Sequence, residues 1–199
     1  MKIIPTPLPG ALVVEPRVHG DARGFFLETF NAAKYEANGV PTRFVQDNWS
    51  RSAKGTLRGL HFQHPNAQGK LVWCVRGAVY DVIVDLRRGS PAFGRSFGVE
   101  LSEASKCQLW VPPGFAHGFC VLSDEADFVY KCTELYSPKD EQCLLWNDPA
   151  LGIEWPVSSP LLSAKDAKGL PLSRLTNLPS MPEPMAERYR ATAAPQSAR

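Results

Sequence analysis

The sequence predicts an all-β fold, a sandwich or barrel of short strands, and three observations carry that expectation. From Phe44 to Trp146 apolar residues recur with a period of two in one segment after another, the spacing of strands that bury one face. Turn residues separate these segments: Gly55, Gly77, Gly89 with Pro91, and Pro112-Pro113-Gly114. Before the C-terminal third, one stretch alone carries helix start and stop signals. Asn31 precedes Ala32 to Asn38, and Gly39 and Pro41 follow. About ten short strands with almost no helix fit a layered β architecture.

Taken in order, Leu12 to Glu15 reads as an opening strand ended by Pro16. Asp21-Ala22-Arg23-Gly24 is turn chemistry leading into Phe25 to Phe30, where Phe26 and Glu28 share a face. Phe44 to Ser50 sets Gln46 and Asn48 on one side. The next strand runs through Gly55-Thr56-Leu57-Arg58-Gly59-Leu60-His61-Phe62-Gln63, with Leu57, Gly59, His61 and Gln63 on one face of a regular strand. A polar loop, His64 to Gly69, leads to Lys70 to Arg76. In Ala78 to Leu86, Tyr80, Val82, Val84 and Leu86 line one side, Asp81 and Asp85 the other. Further strands fit Ser96 to Leu101, Lys106 to Val111, His117 to Leu122, Asp127 to Leu135 and Gln142 to Trp146. Ser163 to Gly169 suits a helical turn.

The 199 residues suit a single domain, expected over 1–179. A Pro-, Ser- and Ala-rich tail, 180–199, is expected to be poorly ordered or loosely docked. A net charge of +2 argues against a basic surface for nucleic acid. Prolines 5, 7 and 9 interrupt any secretory leader, and no apolar run approaches the roughly 20 residues that span a bilayer. The five cysteines show no C-x-x-C spacing and sit in apolar strand-like segments. A soluble protein of the reducing cytoplasm, with no membrane or nucleic-acid partner, is the expectation.

The residues themselves suggest two kinds of chemistry. His61, His64 and His117 supply three imidazoles, but the H-x-x-H spacing on a strand sends His61 and His64 to opposite faces. Gln68 and Lys70 offer no carboxylate nearby, so the ligand count for a metal is poor. The expectation is no metal and no cofactor. General acid–base chemistry fits better. Histidine titrates near neutrality, Tyr130 is a candidate acid, and an inward Lys70 would stabilise an oxyanion. A core tyrosine and a solvated lysine remain open at this level.

The turn Val111-Pro112-Pro113-Gly114-Phe115-Ala116-His117 matches the P-x-G-x-x-H turn of jelly-roll cupins. A larger set of motifs resembles the dTDP-4-dehydrorhamnose 3,5-epimerase family, in the family's order from Asp21 to Asp166. It includes Asp21 to Glu28, Phe44 to Asn48, Gly55 to Gln63, Gly69 to Val72 and Asp81 to Arg87. Val111 to Phe119, Tyr130 to Cys132, Asn147 to Pro149, Ile153 to Pro156 and Leu162 to Asp166 complete it.

The resemblance implies a cupin-type double-stranded β-helix, a jelly roll with a few short helices, working as a metal-free homodimer. It implies inversion of C3 and C5 of dTDP-4-dehydro-6-deoxy-D-glucose on the route to dTDP-L-rhamnose. His61 would be the base, Asp166 its orienting carboxylate, Lys70 the partner of the enolate and Tyr130 the acid. Substrate contacts implied in the same way are Arg23, Phe26, Glu28, Gln46, Asn48, Arg58, His117, Glu141 and Lys165, with Tyr136 packing on a nucleotide ring. Arg23 and Glu28 would serve the other subunit's pocket. Arg58 and His61 stand on opposite faces of a regular strand unless Gly59 allows a bulge. Val121, Ala92 and Ser96 depart from the family's usual residues, away from base and acid. Competing readings are a single-carbon epimerase, a silent nucleotide-sugar-binding cupin and a metal-dependent cupin oxygenase or isomerase.

Overall fold

Two antiparallel sheets face each other because nearly every strand alternates between a side that meets the opposite sheet and a side that does not. The computed structural model describes residues 1–182. The strands are β1 (Lys2–Pro5), β2 (Leu12–Glu15), β3 (Val18–Asp21), β4 (Gly24–Leu27), β5 (Gln46–Ala53), β6 (Leu57–Gln63) and β7 (Lys70–Arg76). They continue with β8 (Ala78–Asp85), β9 (Ser96–Ser102), β10 (Gln108–Val111), β11 (Phe115–Val121), β12 (Glu125–Cys132) and β13 (Glu141–Cys143). One sheet runs β1-β2-β10-β7-β12-β5, the other β13-β6-β11-β8-β9, and β3 and β4 form a separate ribbon. This is the cupin-type jelly roll that the motifs imply.

The space between the sheets is divided. At one end Val13, Val72, Val79, Ile83, Leu101, Leu109, Phe115, Phe119 and Phe128 form the dry core. At the other end the inward positions of β5 are Gln46, Asn48, Ser50 and Ser52, all polar. A sandwich built only for stability would place apolar residues there, so this end is not a continuation of the dry core.

Each sheet also buries part of its outer face. The helix α1 (Ala32–Glu36) starts where Asn31 Oδ1 accepts from the Lys34 amide at 3.2 Å. It lays Tyr35 against Val14, Leu71 and Trp110. On the second sheet, Leu60, Phe62, Val82, Val84 and Leu86 meet Leu144, Leu151, Leu175 and Leu178 from the C-terminal segment. That apolar seam explains why the chain after Trp155, poor in regular structure, stays bound to the sheet. The alternation expected in β8 holds: Tyr80, Val82 and Val84 pack outward, while Asp81 and Asp85 are buried between the sheets.

Several local readings differ from the sequence expectation, among them the strand expected over Gln142 to Trp146, which runs Glu141–Cys143. Lys2–Pro5 and Val18–Asp21 are strands, formed by antiparallel pairing with β2 and β4 despite weak local patterns. The helix ends at Glu36, two residues early, and Gly39 takes φ 83° beyond it. The strand expected to reach Leu135 stops at Cys132. There Thr133 bonds Gly69 through both its amide and its hydroxyl, and the chain turns away. Ser163 to Gly169 contains the expected helical turn, a 3-10 turn at Asp166–Lys168. The first residues of the expected tail are docked, with the Met181 amide donating to the Arg88 carbonyl at 2.9 Å and Met181 buried. Residues 183–199 of that expected tail lie outside the described residues. No helix among the described residues is long and apolar enough to cross a membrane.

Candidate active site

A cavity of about 540 Å3 opens between β5, β7 and β12 on one sheet and β6 and β11 on the other. His61, Lys70, Tyr130, Asp166, Gln46, Asn48, Arg58, His117, Tyr136, Glu141 and Lys165 all line it. Arg23, Phe26 and Glu28 do not. They lie on or beside the β3–β4 ribbon, where Arg23 pairs with Asp21 at 2.6 Å and Glu28 with Lys34 at 2.7 Å.

β6 brings Arg58 and His61 to the same wall by an irregularity. In its pairing with β11, His61 faces His117 and Arg58 faces Phe119, so three steps on β6 oppose two on β11. The extra residue reverses the alternation between them. Gly59 occupies this bulge at φ 121°, and a Cβ there would sit 2.7 Å from both the Gly118 Cα and the His117 carbonyl oxygen. Glycine at both positions lets the two backbones approach.

His61 Nε2 donates to Asp166 Oδ1 at 2.5 Å, which leaves Nδ1 to exchange a proton. Asp166 arrives from the 3-10 turn after Ser163, whose hydroxyl accepts the Asp166 amide at 3.1 Å. Burial pushes the Asp166 carboxyl up, but the hydrogen bond and charge of His61, with Ser163 and Lys165, hold it below the usual carboxylate range. A second imidazole–carboxylate pair lies deeper. His117 Nε2 contacts both oxygens of Asp81, at 3.1 and 2.9 Å. Burial raises the Asp81 pKa, with His117 and Lys70 pulling against it. The sequence reading sets Asp81 on the strand face opposite Tyr80, Val82 and Val84 without saying which face is inner, and gives it no role. An acid in the middle of the otherwise apolar run Val79 to Val84 was the available signal.

Across the cavity stand Tyr130 on β12 and Lys70 at the start of β7. Burial, with Cys132 and Glu141 nearby, raises the Tyr130 pKa, so the phenol is kept protonated. Burial depresses the Lys70 pKa, partly offset by Cys132, Glu141 and Asp81. At the rim, Tyr136 is held although its strand has ended, its amide donating to Gln46 Oε1 at 2.8 Å and its hydroxyl to Glu141 Oε2 at 2.7 Å. Lys165 donates to Glu141 Oε1 at 2.8 Å. Gln63, unassigned from sequence, ties the rim down: its Nε2 donates to the Asn66 and Leu135 carbonyls and its Oε1 accepts from the Ser137 amide.

Ligand atoms of His61, Cys143 and Asp166 lie within 4.8 Å of one another. The His61–Asp166 contact is a hydrogen bond too short for two ligands of one ion, which stand roughly 3 Å or more apart around a tetrahedral centre. Burial and Asp166 push the Cys143 thiol up to about 12, so it stays protonated. As the three side chains stand, His61 and Asp166 share a hydrogen bond beside a protonated Cys143 thiol.

Fold and pocket together define a cupin-type jelly-roll protein equipped to move protons to and from a bound small molecule. The family model described as dTDP-4-dehydrorhamnose 3,5-epimerase matches residues 5–174, and the chain belongs to that family. It is 58% identical to the dTDP-4-dehydrorhamnose 3,5-epimerase of Shigella flexneri over 171 residues, 85% of this chain and 94% of the relative. It resembles a crystal structure of dTDP-6-deoxy-D-glucose-3,5-epimerase from Legionella pneumophila in complex with dTDP-4-keto-L-rhamnose. That likeness has a TM-score of 0.88 at 50% identity, covering 91% of this chain and 98% of that one. A dTDP-4-dehydrorhamnose 3-epimerase of Streptomyces niveus is 40% identical over 184 residues, 92% of this chain and 89% of the relative.

Proposed function

We propose that this protein inverts C3 and C5 of dTDP-4-dehydro-6-deoxy-D-glucose to give dTDP-4-dehydro-L-rhamnose, using only its own side chains. The observation that carries the reading is that His61 and Tyr130 line one cavity from opposite sheets. An epimerase must remove a proton from one face of a carbon and return one to the other. The C4 ketone acidifies the hydrogens on C3 and C5. His61 Nδ1 takes one of them, the C–H electron pair moves into an enolate, and Asp166 stabilises the imidazolium. The Lys70 ammonium, poorly solvated where it lies, meets the negative charge developing on O4. Tyr130 then delivers its proton to the opposite face of the carbon; His61 gives its captured proton to solvent and Tyr130 takes one from solvent, which restores both groups for the second carbon.

Gln46, Asn48, Arg58, His117, Tyr136, Glu141 and Lys165 are assigned to substrate binding. Arg58 and Lys165 suit the diphosphate, and the half-exposed Tyr136 ring suits the thymine face. The protein is further assigned as a homodimer. Phe25 and Phe26 are 62% and 69% exposed on the β3–β4 ribbon, which pairs with no other strand among the described residues. A second copy would cover them and receive Arg23, Phe26 and Glu28 at its own pocket. All five cysteines are free thiols, which supports a reducing compartment, the cytoplasm.

The test is proton NMR of the substrate in D2O with wild-type protein and His61→Ala. Deuterium entering at both C3 and C5 with wild type, and at neither with the variant, is expected. A second reading rests on the 3-epimerase relative: exchange at one carbon alone would select it, and wild-type rates in His61→Ala would remove His61 as base.

A further inference from the structure

Among the described residues a single buried side-chain polar atom has no hydrogen-bond partner, the hydroxyl oxygen of Ser50. Proteins seldom retain such a group without a use for it, because its water contacts are lost and nothing replaces them. Ser50 lies on the inward face of β5 between Asn48 and Ser52 and lines the cavity. Its neighbours are provided for. Ser52 Oγ accepts from Arg58 Nε at 2.9 Å, and Asn48 bonds both Gln46 and Cys132. The residue facing Ser50 across the strands is Phe128, which has nothing to offer a hydroxyl.

Arg58 carries the complementary observation. It lines the same cavity, and among the described residues no carboxylate forms an ion pair with it. Its other bond within the protein is a long one, Nη2 to the Arg51 carbonyl at 3.5 Å. A cation without an anion and a hydroxyl without a partner therefore share one end of the pocket, joined through Ser52. A group that completes both is an oxyanion.

We propose that Ser50 is a substrate-binding residue that donates its hydroxyl to a diphosphate oxygen held by the Arg58 guanidinium. Serine has one side-chain torsion, and a change of about 120° between its staggered positions would turn Oγ from its unpaired site toward the cavity that Ser50 lines. The proposal rests on the nucleotide-sugar reading above. Wild-type exchange and turnover are therefore measured first, and their absence would count against that reading alone.

The experiment compares wild type, Ser50→Ala and Ser50→Cys by calorimetric titration with dTDP, by steady-state kinetics and by thermal unfolding. Cysteine fills nearly the same space but is a weak donor, so it separates the hydrogen bond from packing. Both variants are expected to bind dTDP about tenfold more weakly and to show a matching rise in KM. kcat should stay within about twofold, and the free variants should melt no lower than wild type, because the hydroxyl has no partner to lose. Unchanged dTDP affinity in both variants would overturn the proposal. So would a raised KM with unchanged dTDP affinity, which would move the contact to the sugar. A weakening that follows a lower melting temperature would reduce Ser50 to a structural role and equally overturn it.

Discussion

Asp166 shows how one residue links stability to chemistry. Its carboxyl is buried, which alone would raise its pKa, and the His61 interaction reverses the direction. A carboxyl whose folded pKa lies below its unfolded value, roughly 3.9, adds stability that is complete above that value. The contribution is lost as pH falls through the folded pKa. Asp166→Asn should therefore be less stable than wild type at pH 7 by on the order of 2 kcal/mol, with the gap closing below about pH 4. Urea unfolding across that range measures it, and a gap equally wide at pH 3 and pH 7 would contradict the assignment. Turnover should fall by about 10^3 to 10^4, the scale seen when a base loses its orienting acid. Lys70 presents the reverse case, since burial penalises its charge. Lys70→Met should raise the melting temperature by about 2–4 °C while lowering kcat by about 100-fold or more. Calorimetry and kinetics on one preparation decide both, and a lower melting temperature would mean the ammonium is better solvated than its burial implies.

The decisive element is β6. As a regular strand it would send Arg58 and His61 to opposite faces, and the single bulge at Gly59 puts both on the pocket wall. The bulge depends on backbone contact with Gly118, where any side chain meets main chain. Gly59→Ala is expected to cost roughly 2–4 kcal/mol, from the positive φ and from separating β6 and β11. Activity should fall beyond what the folded fraction explains, because His61 and His117 face each other across that pairing. Denaturant titration with activity per folded molecule tests this, and wild-type values for both would show that the pocket does not need the bulge.

At the scale of the whole molecule, the β3–β4 ribbon and the residue beside it carry Arg23, Phe26 and Glu28, which do not line the cavity described above. If each ribbon completes its neighbour's pocket, His61→Ala protein and an Arg23→Ala/Glu28→Ala double variant should rescue each other. In a mixed dimer the intact pocket of the second meets the intact ribbon of the first. After dissociation and re-mixing at equal amounts, roughly a quarter of wild-type activity should return. Native mass spectrometry confirms exchange of subunits, and mixed dimers that stay inactive would place the ribbon outside catalysis.

Periodicity and turn chemistry in the sequence are enough to set the all-β class, most strands, the Asn31-capped helix and the sharing of one face of β5 by Gln46 and Asn48. These depend on neighbours in the chain, and local sterics decide them. Motif order pointed to His61, Lys70, Tyr130 and Asp166, but spacing could not say that a residue 105 positions from His61 would meet its ring. That pairing depends on the apolar seam of Leu144, Leu151, Leu175 and Leu178 holding the C-terminal segment to the second sheet. The Asp81–His117 pair, the placement of Tyr136 beyond its strand, the turning-in of Arg58 and the unpaired Ser50 hydroxyl were likewise settled only in three dimensions. Each depends on which backbones pair and how closely, an outcome of burying both sheets at once, which no window of sequence contains.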